Sequence, residues 1–102
     1  MKIAIAATSS EIDAQVDMRG ARASCYLLFD QQGEPLGVLD NPFLQVGRGA
    51  APKVAFFLSD KEVTLLAAGE VGPKFAPELE QRGIKYVQKS GLVSDVIKEL
   101  IT

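Results

Sequence analysis

Residues 63–74 read VTLLAAGEVGPK, an apolar strand pattern that runs directly into the glycine-rich turn Gly69–Lys74. An amphipathic helical pattern follows over Pro73–Gln81, and Arg82-Gly83 places a glycine where helices commonly end. A second glycine-rich turn, Gly47–Lys53, precedes another helical pattern. Glycine turns that lead into helices between apolar strands are typical of crossover units, so the sequence predicts an α/β fold.

The other apolar runs complete one sheet with three helices. The predicted elements follow the order β-β-β-α-β-α-β-α. They are Ile3–Ala7, Ala23–Asp30, Pro35–Leu39, Ala51–Ser59, Val63–Ala68, Pro73–Gln81, Ile84–Val87 and Leu92–Ile101. The turn Gln31–Glu34 makes the second and third strands a hairpin, while helical crossovers make parallel pairs. We therefore expect a single domain over residues 1–102, with a five-stranded mixed sheet of order 3-2-1-4-5 in which only the second strand is antiparallel.

Composition and charge exclude several classes of function. The 102 residues are 47% hydrophobic and 24% charged, with a net charge of −2, so the chain has no general electrostatic basis for binding nucleic acid or an anionic membrane. No apolar stretch approaches the roughly 20 residues that span a bilayer. One cysteine permits no intramolecular disulfide, which suits the cytoplasm, and the absence of histidine excludes a histidine-ligated metal or a histidine general base.

The predicted topology gathers four connecting segments at the carboxyl edge of the sheet, where open α/β sheets bind ligands. These segments are Thr8–Arg22, which is expected to be a long functional loop, Gly47–Lys53, Gly69–Lys74 and Ser90-Gly91. Five of the eleven basic residues fall within them: Arg19, Arg22, Arg48, Lys53 and Lys74. Since a lysine near a helix start opposes the helix dipole, these cations and helix N-termini predict a site for an anion.

Other interpretations of the same residues are weaker or simpler. Glycines before helices also serve only to make tight turns, and each turn alone is weak evidence for a ligand. Cys25 lies within an apolar strand and is expected to be a buried, inert thiol. The first strand, Ile3–Ala6, lacks the carboxylates that a two-metal nuclease needs. Ser9 and Ser10 have no base partner, so a catalytic serine is not predicted. The sequence predicts no other catalytic residue and no metal ligand from the protein.

Five short motifs together resemble the dinitrogenase iron–molybdenum cofactor biosynthesis family, whose members are small ribonuclease H-like domains. The motif Gly69–Lys74 matches the family's G-E-V-G-P-K turn, and Gly47–Lys53 is similar to its G-x-G-A-G-P turn with Ala51 in place of the last glycine. The segment Arg19–Ala23 resembles an altered R-F-G-R-A stretch that has lost the phenylalanine and glycine. The remaining matches are the first strand Lys2–Ala6 and the turn Asn41-Pro42.

The resemblance implies a small, non-catalytic carrier of an anionic metal–sulfur cofactor of the iron–molybdenum type, or of its precursor, in a pathway related to nitrogen fixation. The cargo would be held noncovalently, because no histidine is available to attach it. The partner would be a protein that assembles or receives the cofactor. The predicted binding residues are Arg19, Arg22, Arg48, Gly49, Lys53, Gly69, Gly72 and Lys74.

Two alternatives remain open at this point. The chain is also consistent with a protein–protein interaction module of the same family that no longer binds a cofactor. In that case Phe43, Leu44 and Val46, if exposed, would supply an apolar docking patch. A third interpretation, an enzyme acting on a phosphorylated small molecule, has weaker support because the sequence offers no identifiable general acid or base.

Overall fold

The computed structural model describes residues 1–11 and 13–102 and contains one five-stranded sheet of order β3-β2-β1-β4-β5. The elements are β1 (Lys2–Ala7), β2 (Cys25–Asp30), β3 (Pro35–Asp40), α1 (Ala50–Asp60), β4 (Val63–Ala68), α2 (Phe75–Gln81), β5 (Lys85–Gln88) and α3 (Val93–Ile101). Strand β2 pairs antiparallel with β1 and β3, whereas β1, β4 and β5 are parallel. The predicted strand order, strand directions and number of helices are confirmed.

Strand β1 occupies the centre of the sheet because its side chains are apolar on both faces. Ile3 and Ile5 point toward α3, whereas Ala4 and Ala6 belong to the core beneath α1 and α2. This division follows from the alternation of side chains along a strand. All four residues are at most 1% exposed, so a strand with apolar residues at every position is buried between two helical layers.

The helices pack on the two faces through apolar stripes at helical spacing. Val54 and Leu58 of α1 and Leu79 of α2 are fully buried on one face. Val96 and Ile97 of α3 are buried on the other face. Full burial of one such side chain stabilises the fold by about 1.5–3 kcal/mol, so these contacts hold the helices on the sheet.

Helix α2 spans Phe75–Gln81 and so begins two residues after the predicted start at Pro73. Both Phe75 and Ala76 donate their amides to the carbonyl oxygen of Gly72, at 3.1 and 3.0 Å. These two bonds form a turn around Pro73 and Lys74 that precedes the helix. The bounds of β4 agree with the prediction, and those of the remaining elements differ from it by one or two residues, which is the usual variation at element ends.

The predicted loop Thr8–Arg22 is tied to the sheet at several points outside residue 12, which lies beyond the described residues. Val16 forms a β-bridge with Ala7, and Gln15 forms one with Leu92. The backbone of the loop therefore runs along the carboxyl edge of the sheet rather than away from it. None of the helices in the described part of the chain has the length and apolar character that crossing a bilayer requires.

Candidate functional site

A cavity of about 850 Å³ lies at the carboxyl edge of the sheet. Three segments surround it: Met18–Arg22 of the first loop, Gly47–Pro52 before and at the start of α1, and Glu70–Phe75 between β4 and α2. This volume falls within the range of small-molecule sites in proteins. Both glycine-rich turns therefore border one cavity, at the edge where the topology predicts a ligand.

The first loop closes one side of the cavity by pairing with strand ends. Asp17 donates its amide to the carbonyl of Ala6 at 2.8 Å, and its own carbonyl accepts the amide of Gly69 at 2.9 Å. A Cβ atom at Gly69 would lie 2.6 Å from the Cα of Met18, so only glycine allows this close approach. Gly69, predicted to contact a cofactor, instead packs beneath the loop and does not line the cavity.

Four cations and one carboxylate line the cavity: Arg19, Arg22, Arg48, Lys74 and Glu70. Two of the cations are already engaged by the protein. Arg19 forms an ion pair with Asp17 at 3.3 Å, and Arg22 donates to the carbonyls of Val46 and Gly47 at 2.7 and 3.0 Å. Within residues 1–11 and 13–102, no carboxylate lies within ion-pair distance of Arg48 or Lys74. These two exposed side chains provide the uncompensated charge of the site.

Asp17 is a residue that sequence reasoning missed. Its side chain is only 5% exposed, and it accepts the amide of Arg19 at 2.9 Å as well as the Arg19 guanidinium. This arrangement is a turn stabilised by an aspartate two residues before the amide it binds. The Asp-x-Arg spacing is the only signal in the sequence that could have indicated it. Asp17 partly neutralises Arg19 and shapes the cavity wall.

Two buried polar side chains, Tyr26 and Asn41, fix the loop from below. The Tyr26 hydroxyl donates to the carbonyl of Gly20 at 2.6 Å, and the Asn41 amide donates to the carbonyls of Ala21 and Ala23 at 3.2 and 3.0 Å. Burial, with a smaller contribution from Asp17, raises the pKa of Tyr26, which keeps the hydroxyl protonated as a donor. Sequence analysis assigned Asn41 only to a turn and gave Tyr26 no role.

Cys25 lies in the core on the other face of the sheet, beneath α3, and is 3% exposed. Burial is the largest cause that raises the pKa of its thiol, and the charges of Asp40 and Asp17 raise it further. The thiol therefore stays protonated at neutral pH, in agreement with the buried, inert role predicted for it. Within residues 1–11 and 13–102, no group of three histidine, cysteine, aspartate or glutamate side chains lies close enough together to hold a metal ion.

The two helix starts at the cavity differ, although the sequence predicted equivalent ones. Helix α1 has 11 residues, begins after Gly49 with φ of 75°, and has neither a side-chain cap nor an acidic residue in its first turn. Helix α2 has only seven residues, and its first two amides bind the carbonyl of Gly72. The expectation of bare amides at both helix starts is therefore wrong for α2. Neither helix start has a side-chain cap, but α1 also lacks an acidic residue in its first turn, whereas α2 has Glu78 there, so the start of α1 favours an anion at the cavity wall more strongly.

The two predicted lysines differ in their position relative to the cavity, whereas Gly49 and Gly72 both border it. Lys74 lines the cavity from the N-cap of α2, whereas Lys53 is exposed on α1 outside the lining. A Cβ atom at Gly72 would meet nothing within 4 Å, so this backbone is open to the cavity. Gly49 also lines the cavity in a left-handed conformation that favours glycine. Six of the eight predicted binding residues thus surround the cavity, and Lys53 and Gly69 do not.

Two further sequence expectations are not met around the cavity. Gly91, expected beside it, accepts the amide of Val16 and does not line the cavity, and neither does Ser90. In the predicted docking patch, Phe43 packs edge-on against Phe57 with ring centroids 6.3 Å apart, and Val46 is half-buried. Only Leu44 is exposed, at 43%. The three side chains do not form a continuous exposed surface.

Solved structures of other proteins have the same fold as this chain. The apo form of the orange protein from Desulfovibrio gigas is 27% identical, with a TM-score of 0.89 over 98% of this chain and 86% of that protein. The NMR structure of a Thermotoga protein, provisionally described as a NifB protein and placed in the DUF35 family, is 28% identical, with a TM-score of 0.79 over 95% of this chain and 84% of that one. The sequence matches no curated protein at a significant level.

A family match covers the whole chain, including the motifs noted in the sequence. The family described as dinitrogenase iron-molybdenum cofactor matches residues 1–102, which is the whole chain. The match includes both glycine-rich turns and the first loop that together surround the cavity. This chain therefore belongs to the dinitrogenase iron–molybdenum cofactor family.

Proposed function

We propose that this protein is a non-catalytic carrier that binds an anionic metal–sulfur cofactor, or a precursor of one, in the cavity at the carboxyl edge of the sheet. The observation that carries the proposal is the pair Arg48 and Lys74, two exposed cations that lie on different turns of one cavity and have no ion-pair partner among the described residues. The start of α1, which has no side-chain cap, adds a partial positive charge at the same cavity.

Electrostatics favour an anion with several acceptor atoms. Four cations line the cavity, whereas the carboxylates beside them among residues 1–11 and 13–102 are Glu70 in the lining and Asp17, which pairs with Arg19. The whole chain has a net charge of −2, so this local excess is not a consequence of a basic composition. Backbone amides and guanidinium groups donate hydrogen bonds to oxygen or sulfide ligands of a metal centre without replacing them. Such a mode of binding permits loading and release of an intact cargo.

The cavity also fits a cargo rather than a single small ion. A volume of about 850 Å³ exceeds that of a lone oxyanion, and the open backbone at Gly72 allows a bulky ligand to approach closely. Met18 adds an exposed thioether at the rim, a soft and polarisable group that suits sulfide-rich surfaces. The partner would be a protein that assembles the cofactor or receives it from this carrier.

The experiment is an anaerobic titration of the purified protein with tetrathiomolybdate, followed by absorbance and by calorimetry. We expect saturable binding by the wild type, and a dissociation constant at least about tenfold higher for the Arg48→Ala/Lys74→Ala double variant, which corresponds to about 1.4 kcal/mol. The reason is the loss of both unpaired cations from the cavity. Titration with molybdate distinguishes a preference for sulfide ligands from general anion binding.

The matched control is the Lys85→Ala/Lys98→Ala double variant, which makes the same change in net charge at exposed positions outside the cavity. We expect this control to bind like the wild type at 0.15 M salt, where charges more than about 8 Å apart are screened. Equal weakening by both double variants would mean that only net charge matters. That outcome, or no binding by the wild type, would contradict a built anion site.

A further inference from the structure

Arg22 is the one cavity arginine that bridges two walls of the site. It projects from the first loop, and its two terminal nitrogens donate to the carbonyls of consecutive residues, Val46 at 2.7 Å and Gly47 at 3.0 Å. The side chain is half-buried, and 24 residues separate it from Val46 along the chain. Arg22 thus joins the first loop to the turn that leads into α1.

The geometry of these bonds requires a guanidinium group. Two carbonyls of adjacent residues are bound by different nitrogens of one planar group, and a lysine ammonium on a flexible stem does not reproduce this fixed fork. A hydrogen bond that involves a charged group is roughly twice as strong as one between neutral groups. The bonds to Val46 and Gly47 therefore restrain the turn in a way that charge alone would not.

The turn is held at its other end by Asn41. The Asn41 side chain accepts the amide of Phe43 at 2.9 Å and donates to the carbonyls of Ala21 and Ala23. The segment from Asn41 to Gly47 is therefore attached at both ends to the short stretch around Arg22. Between these attachments, the main support of the turn is the amide of Val46, which binds the carbonyl of Phe43 at 3.2 Å.

The three cavity arginines consequently have different surroundings. Arg19 is paired with buried Asp17, and Arg48 is exposed and has no ion-pair partner among residues 1–11 and 13–102. Arg22 alone binds main-chain carbonyls of a separate turn. That turn carries Arg48 and leads into the uncapped start of α1. The position of the two anion-binding features of this wall therefore depends on Arg22.

We infer that Arg22 is a positioning residue, which holds the turn before α1 so that Arg48 and the start of α1 border the cavity. This role deepens the proposed function and rests on it only for its effect on anion binding. Arg22 acts on the protein rather than on the cargo, so the bidentate contact matters more than its charge. It differs from the direct cofactor contact that the sequence predicted for this residue.

The test compares Arg22→Lys with the wild type, because this substitution keeps the charge and removes the fork. Amide hydrogen exchange in the apo protein is expected to accelerate at least about fivefold at Val46. Exchange at Phe43 is expected to stay unchanged, because Asn41 still holds its amide. The dissociation constant for tetrathiomolybdate is expected to rise at least about fivefold while the melting temperature changes little.

The control is Arg82→Lys, which alters an arginine that also donates to a main-chain carbonyl, that of Glu78, outside the cavity. We expect it to change neither exchange at Val46 nor anion binding. Unchanged exchange at Val46 in Arg22→Lys would overturn the positioning role whether or not an anion binds. Faster exchange with unchanged binding would also overturn it. Absence of binding by the wild type is a separate failure, that of the proposed function.

Discussion

The two glycine-rich turns have similar sequences but different surroundings in the folded protein. In the turn before α1, Gly47 and Gly49 border the cavity and Arg48 is exposed. In the turn before α2, Gly69 is packed beneath the first loop, and the amide of Val71 binds the side chain of Gln88 at 2.9 Å. Both turns therefore border the cavity and each carries one of its exposed cations, but in the turn before α2 the first glycine packs closely against the first loop.

The difference arises from what packs on each turn rather than from the turns themselves. Through Asp17 the first loop forms one bond with β1 and one with Gly69, the residue after β4, and it therefore lies directly on Gly69. The turn before α1 has no such cover and is restrained from the side by Arg22. A glycine motif before a helix thus has two possible uses, close packing or ligand approach, and neighbouring segments decide between them.

The largest expected effect distinguishes two glycines of the same turn. Gly69→Ala places a Cβ atom 2.6 Å from the backbone of Met18, and we expect a loss of about 2–3 kcal/mol in the free energy of unfolding. Gly72→Ala meets nothing within 4 Å and should change stability by less than about 0.5 kcal/mol. Urea unfolding of both variants measures the difference. Equal stability of the two variants would contradict the conclusion that Gly69 is closely packed whereas Gly72 is open.

A smaller effect is expected on binding when a side chain is added at the open position. Gly72→Val fills part of the cavity wall without contacting protein atoms within 4 Å of its Cβ atom. We expect the affinity for tetrathiomolybdate to fall by a factor of about ten, or about 1.4 kcal/mol, with little change in stability. Parallel calorimetric titrations and thermal melts separate the two effects. Wild-type affinity in Gly72→Val would show that the cargo does not approach this turn.

The smallest effect concerns the support of the first loop by Tyr26, and its dependence on pH appears only at high pH. Burial raises the pKa of Tyr26 above its ordinary value of 10.0, so the folded state retains the proton when the unfolded state begins to lose it. The contribution of Tyr26 to stability is complete below pH 10 and declines as pH rises above it. Tyr26→Phe removes the hydroxyl and should therefore show a shallower decline in unfolding free energy between about pH 9.5 and 11.

Denaturant unfolding of the wild type and of Tyr26→Phe at several pH values checks this prediction. The difference between the two variants isolates Tyr26 from lysines that titrate in the same range. At neutral pH the substitution should cost about 1 kcal/mol, because the carbonyl of Gly20 loses its donor. Parallel pH profiles for the two proteins would show that ionisation of Tyr26 does not contribute.

Most of the fold could be predicted from local patterns because its elements have clear periodicity. The two-faced apolar run of β1, the hairpin turn and the spacing of α3 identify their elements without tertiary information. The start of α2 lies two residues after the predicted Pro73, at the end of a turn in which two amides bind the carbonyl of Gly72, and such details of element ends depend on backbone geometry. The bridges of Val16 with Ala7 and of Gln15 with Leu92 were missed because isolated pairs leave no periodic signal.

The location of the candidate site could be predicted from the sequence, but the contacts that each of its residues makes could not. Connection rules place the carboxyl ends of parallel strands on one edge, so the sequence by itself determined that the glycine turns and their cations meet there. Only the tertiary structure decided that Asp17 pairs with Arg19, that Arg22 binds carbonyls, and that Arg48 and Lys74 remain unpaired among the described residues. The physical reason is range: periodicity and turn chemistry act between near neighbours, whereas the partner of a charge is set by segments brought together only when the sheet forms.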